Sequence, residues 1–223
     1  MNEFGESFEV QSESDAKYVI NETMMDMTLF YLKPVVVIYG SIVERSIGLI
    51  HTPKDIDVMV NYEGDDTIGY GLLPTEIQYN VDMEALINEI YNEPKMLLAA
   101  CNIDINPYFD KTKVRASVSN VCSKAFNKGK KKLTVSTDYD EYLGLKNLYH
   151  AMKFPYFAKW KFIDKCYPQE DIDYLNNIYT RIFETYKNST GTLEERFESV
   201  NSWLKPEFNK TLTEFRKHFP KEK

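Results

Sequence analysis

The chain has 223 residues, which at roughly 100–200 residues per domain predicts one large domain or two small ones. Its 43% hydrophobic and 14% aromatic residues describe a folded protein, and 9 glycines with 9 prolines exclude collagen-like or low-complexity organisation. A formal charge of −7 argues against a dedicated duplex-DNA binder, which carries a basic footprint.

Residues 1–15 read as a disordered, acidic tip, the opposite of a signal or transit peptide. From Ala16 to Leu32, Val19, Ile20, Met24, Leu29 and Phe30 recur at helical spacing, and Lys33-Pro34 ends that helix. The β-branched run VVVIYG is of strand length and stops at Gly40. Ser41 and Glu44 stand at capping-box spacing, so a short helix is expected to begin there. Residues 55–60 alternate as a second strand, 61–75 read as a loop, and 76–84 alternate again with Ile77, Tyr79, Val81 and Met83 on one face. A helix over 85–100, interrupted at Pro94, follows.

After Pro107 the character turns helical, with segments predicted at 113–133, 138–153, 170–187, 192–204 and 207–218. The resulting expectation is an α+β N-terminal half and an all-helical C-terminal half joined near residue 110. The longest apolar stretch, Pro34 to Val43, falls far short of the roughly 20 residues that span a bilayer, so no membrane partner is expected. Cys101, Cys122 and Cys166 are odd in number and widely spaced, and His51, His150 and His218 are scattered. Neither a disulfide framework nor a zinc site is suggested, and a cytoplasmic protein with reduced thiols is expected.

The stretch VVVIYGSIVERSIGLIHTPKDIDVMV carries the chemistry. Period-two geometry points Asp55 and Asp57 to one face, where two carboxylates repel unless a cation sits between them. Hard divalent ions with oxygen ligands suit that place, Mg²⁺ above all. Gly40 lets a backbone approach phosphate closely, and the following helix start offers N–H groups and a positive dipole end. A phosphate-binding turn beside a metal-binding pair is what metal-assisted nucleotidyl transfer needs.

A hydrophobic strand ending in Gly40-Ser41, a spacer, and Asp55-Ile56-Asp57 between apolar residues resembles the signature of the DNA polymerase β-like nucleotidyltransferase superfamily. Lys54 stands where that family carries a serine. Residues 35–155 are similar to uncharacterised predicted nucleotidyltransferases of bacteria and phages, through VDMEALINEIYNEPKMLLAAC, KVRASVSNVCSKAFNKGKKKL and DYDEYLGLKNLYHAMKF. The resemblance implies a small mixed β-sheet nucleotidyltransferase core over 16–110 and a helical domain over 111–223. It implies a third carboxylate, for which Asp82 is the match and Glu84 and Asp104 are rivals. In that family the carboxylates hold two Mg²⁺ ions (Mn²⁺ being an alternative), and the Gly40-Ser41 positions hold the β- and γ-phosphates of a nucleoside triphosphate. A nucleoside monophosphate then passes to a hydroxyl-bearing acceptor: an RNA, tRNA or DNA end, a protein side chain or a small molecule.

Lys111 to Lys132 holds eight basic residues and no acidic one. Lys124, Lys128 and Lys132 share one helix face, where like charges disfavour an isolated helix by a few tenths of a kcal/mol per pair (about 0.2–0.5). A polyphosphate would offset that repulsion, so Lys124 and Lys128 are expected to receive the triphosphate, with Lys146 as a further candidate. Plainer readings stand beside these. The aspartates suit a solvated strand end, Ser41 a helix cap, and the lysines an ordinary wet surface. His150 suits packing as well as ligation, Tyr142 and Tyr149 suit a core as well as base stacking, and Trp160 and Trp203 read as packing residues. No G-x-x-x-x-G-K-[S/T] loop is present. Two other functions compete with the enzyme: a catalytically degenerate nucleotidyltransferase fold acting as a binding or antitoxin-like module, and a metal-dependent phosphodiesterase.

Overall fold

The computed structural model describes residues 35–50, 57–61, 83–92, 97, 100–101 and 106–220. The expected tip, the helix over 16–32, most of the 61–75 loop, and Asp55, Asp82 and Asp104 lie outside the described residues. The β-branched run after Pro34 forms β1 (Val35–Tyr39), which pairs antiparallel with β2 (Asp57–Asn61) and with the two-residue β3 (Ala100–Cys101) in the order β2-β1-β3. Helix α1 (Ser41–Ser46) follows β1, and α2 (Met83–Asn92) precedes β3. Four long helices complete the chain: α3 (Lys111–Thr134), α4 (Glu141–Lys159), α5 (Gln169–Asn188) and α6 (Leu193–His218). The chain divides into two compact units, Met1–Ile90 with Leu98–Tyr108, and Tyr91–Leu97 with Phe109–Lys223.

The expected class, α+β on a mixed sheet core, is corrected. Helix dominates the described residues, the last four helices running to 24, 19, 20 and 26 residues. The strands hold 5, 5 and 2 residues, and every pairing is antiparallel. The cause lies in the lengths of the patterns. Period-two runs here are short, and the one over 76–84 surrenders Met83 and Glu84 to α2. Ala100, expected at the end of a helix, instead pairs with Ile38.

Each long helix is built by a buried stripe and a defined start. In α3, Val114, Val118, Cys122, Phe126, Gly129 and Leu133 are buried along one face, and Asp110 caps the start by accepting from Thr112 N (2.6 Å) and Lys113 N (3.0 Å). Asp140 caps α4 through Leu143 N (2.9 Å), and Thr192 with Glu195 forms a capping box on α6 (3.2 and 2.7 Å). Helix α6 runs unbroken through Pro206, where two helices were expected. Leu204, Phe208, Leu212 and Phe215 are buried on both sides of that proline, and each burial contributes about 1.5–3 kcal/mol. Together they outweigh the roughly 3 kcal/mol cost of an interior proline, whose own ring is exposed.

Helix α4 likewise continues past its expected end at 153, through the buried Pro155, into a π-helical turn at Trp160–Asp164. Phe154, Phe157, Ala158 and Trp160 are buried along that extension. Arg115 ties α3 to the far end of α6, donating from Nη1 to the carbonyl oxygens of Arg216 (2.6 Å) and Phe219. Cys122 and Cys166 are free thiols, and burial holds the Cys122 thiol far above its ordinary value. Among the described residues, no helix is long and apolar enough to cross a membrane.

Candidate functional site

The first cluster of expected site residues lies at one end of the β1–β2 pair. The register sets Tyr39 opposite Asp57, so the Gly40-Ser41 turn leaves β1 at the end where Asp57 enters β2. Gly40 has φ 76 and ψ −147, a conformation that side chains with a Cβ rarely adopt, and its carbonyl accepts from Glu44 N (3.1 Å) to open α1. Gly40 is the N-cap and Ser41 the first helical residue, so the expected S-x-x-E capping box is not formed. The turn is held instead by burial of Ile42, Val43 and Glu44. A six-residue helix sums few peptide dipoles, so any phosphate contact here rests on the glycine turn more than on helix charge. Among the described residues, no group of three His, Cys, Asp or Glu is placed to hold a metal ion.

The lysine face lies in the second unit. Lys124 and Lys128 are exposed on α3, whereas Lys132 is half-buried and bound to Asp138 at 2.6 Å. Lys131 joins the same carboxylate at 3.2 Å, and these two ammonium groups hold the Asp138 carboxyl below its ordinary value. Arg115 is occupied with the α6 carbonyls. Of the expected basic stripe, Lys124 and Lys128 therefore keep their places on an open face, and Lys132 and Arg115 are drawn into structure. Lys146 is exposed on α4, its Nζ 6.0 Å from the centroid of the Tyr142 ring. Tyr149 is buried against Tyr179 (ring centroids 5.1 Å), and His150 packs on Phe154 (5.3 Å).

Comparison of the chain with protein-family models, with curated proteins and with solved structures finds no match.

A further concavity lies apart from the expected site residues. The ends of α4, α5 and α6 border a half-open pocket of about 480 Å³ in the second unit, lined by Tyr156, Lys159, Asp171, Tyr174, Glu207 and Thr211 among others. Tyr174 donates to Glu207 Oε2 (3.1 Å), and its phenol is pushed up to about 12 by burial first and by Glu207 second. Burial, then the nearby Tyr174 and the Asp171 and Glu207 carboxylates, keep the Tyr156 phenol protonated as well. Lys159 reaches Asp171 at 3.0 Å and Asp164 at 3.4 Å, and Trp160 Nε1 donates to Asp171 at 2.8 Å. Burial works to lower the Lys159 ammonium, but its carboxylate partners raise it above its ordinary value. The signal in the sequence was a polar stripe on an otherwise amphipathic helix: Glu207, Lys210, Thr211, Glu214 and His218, spaced three and four apart.

Proposed function

We propose that the chain is a nucleotidyltransferase that moves a nucleoside monophosphate from a nucleoside triphosphate to a hydroxyl-bearing acceptor. The supporting observation is the Tyr39–Asp57 register, which brings a glycine of positive φ and the second aspartate of the Asp-x-Asp motif to one end of an antiparallel pair. A glycine turn and a carboxylate at the same strand ends are the two parts that metal-assisted phosphoryl chemistry requires. Gly40 carries no Cβ to bar a phosphate oxygen from the backbone, and Ser41 supplies a hydroxyl beside it.

Asp55, Asp57 and Asp82, or Glu84 or Asp104 in place of Asp82, would hold Mg²⁺, which neutralises charge on the reacting phosphate. Hard carboxylate oxygens fit that ion. The exposed Lys124 and Lys128 attract phosphate electrostatically, as does Lys146. Lys128→Ala is expected to weaken nucleoside triphosphate binding severalfold in titration calorimetry, and unchanged affinity removes the lysine face from the reading.

Incubation with each labelled nucleoside triphosphate, Mg²⁺ or Mn²⁺, and separate RNA, protein and metabolite fractions tests the reaction. Label is expected in one acceptor class with wild type and to disappear with Asp57→Ala at unchanged helicity. Equal labelling by both proteins, or none by either, refutes the enzyme.

A further inference from the structure

The pocket between the ends of α4, α5 and α6 has the volume of a small-molecule site, within the usual range of about 300–1,000 Å³. Its wall is ring and methylene surface. Tyr156 and Tyr174 stand with centroids 5.7 Å apart at 37°, with Pro155 and Phe215 beside them. Thr211 is buried between the two phenols.

The charge on this wall is uneven. Glu170, Asp171, Glu207 and Glu214 line the pocket, against the ammonium groups of Lys159 and Lys210 and the imidazole of His218. Lys159 is paired with Asp171 and Asp164, and Lys217 with Glu214 at 2.7 Å, which leaves Glu170 and Glu207 against Lys210 on this wall. Glu207 receives a neutral phenol on one oxygen and faces the pocket as a carboxylate. Aromatic faces next to a carboxylate are the surroundings that favour an organic cation. The ring quadrupoles attract positive charge, and the low-dielectric wall strengthens the ion pair.

We propose that this pocket binds a small organic cation, a quaternary ammonium or alkylated amine, with its positive end against Tyr156 and Tyr174, Glu207 as counter-ion, and its hydrocarbon along Pro155 and Phe215. The site lies wholly within the second unit and is independent of the Gly40–Asp57 turn.

Trp160, bonded to the lining Asp171, gives the reporter. The full chain is titrated with choline and benzyltrimethylammonium, and in parallel with 3,3-dimethylbutanol, the neutral carbon analogue of choline, and with benzoate. Saturable quenching by the cations, with at least about ten-fold weaker binding of the neutral analogue and of benzoate, is the expected result. Glu207→Gln, which keeps an acceptor for Tyr174, is expected to weaken the cations about ten-fold and to leave the neutral analogue unchanged. The proposal is overturned if the neutral analogue binds as tightly as choline, if benzoate binds better, or if neither cation saturates. Those comparisons need only wild type, so they hold even where the variant fails to fold.

Discussion

Gly40 joins strand to helix through a backbone geometry, φ 76 with ψ −147, that a Cβ would strain. Replacement by alanine is expected to cost about 1–3 kcal/mol, read as a lower urea midpoint, and an unchanged midpoint would contradict the assigned geometry. Asp138 makes a different prediction. Its carboxyl is held low by hydrogen bonds from Lys132 and then Lys131, so its contribution is complete above the ordinary carboxylate value and is lost as pH falls through the lowered one. The stability advantage of wild type over Asp138→Asn should therefore be constant near neutral pH and close during acid titration, below the ordinary carboxylate range. An advantage independent of pH would mean that charge is not its source. Residue types announced these roles unevenly. A glycine after a β-branched run marks its own turn, whereas Lys132 and Lys124 look alike until a loop carboxylate reaches one of them.

At the scale of elements, α3 and α4 approach through glycine. A Cβ on Gly129 would lie 2.9 Å from the Gly144 carbonyl oxygen and 2.9 Å from Leu148, and backbone cannot swing aside as a side chain does. Gly129→Ala gains about 1 kcal/mol of helix propensity but forces the pair apart, at a typical overpacking cost of about 1–3 kcal/mol. Net destabilisation is expected in thermal melts followed by tryptophan fluorescence, since Trp160 and Trp203 both lie in the same unit as these helices. A raised melting temperature would show that the two helices have slack. The strong 3.6-residue periodicity of α3 and α5 placed both within about two residues of their observed ends. Helices α4 and α6 run on past the expected ends at 153 and 204, because helical spacing alone carries no information about the aromatic residues that pack on either side of Pro155 and Pro206. The β3 pairing was illegible for the same reason: two residues hold no pattern, and only their partner Ile38–Val37 makes them a strand.

For the whole molecule, the uneven charge matters more than the total. An acidic average conceals Lys124 and Lys128 on an open helix face, while the pocket at the ends of α4 to α6 sets four carboxylates against two lysines on an aromatic and aliphatic wall. Raising ionic strength from about 0.05 to about 0.5 M should therefore weaken any phosphate ligand of the exposed lysine face more than a cation held against Tyr156, Tyr174 and the half-buried Glu207, because exposed charges are screened more than partly buried ones. Equal salt sensitivity of the two affinities would place both ligands on open surface. The turn at Gly40 and Asp57 was readable because its residues lie close together in the chain. The pocket was not, because its wall is assembled from three segments whose spacing only folding brings into line. The Arg115 hydrogen bonds to the carbonyls of Arg216 and Phe219 carry this further. They join positions about a hundred residues apart, as the Phe126–Phe208 stack also joins α3 to α6, so the loops these contacts close are among the costliest in the unit. Because such loops cost chain entropy before their contacts repay it, docking of the end of α6 against the Asp110-capped start of α3 is expected to follow formation of the helices themselves.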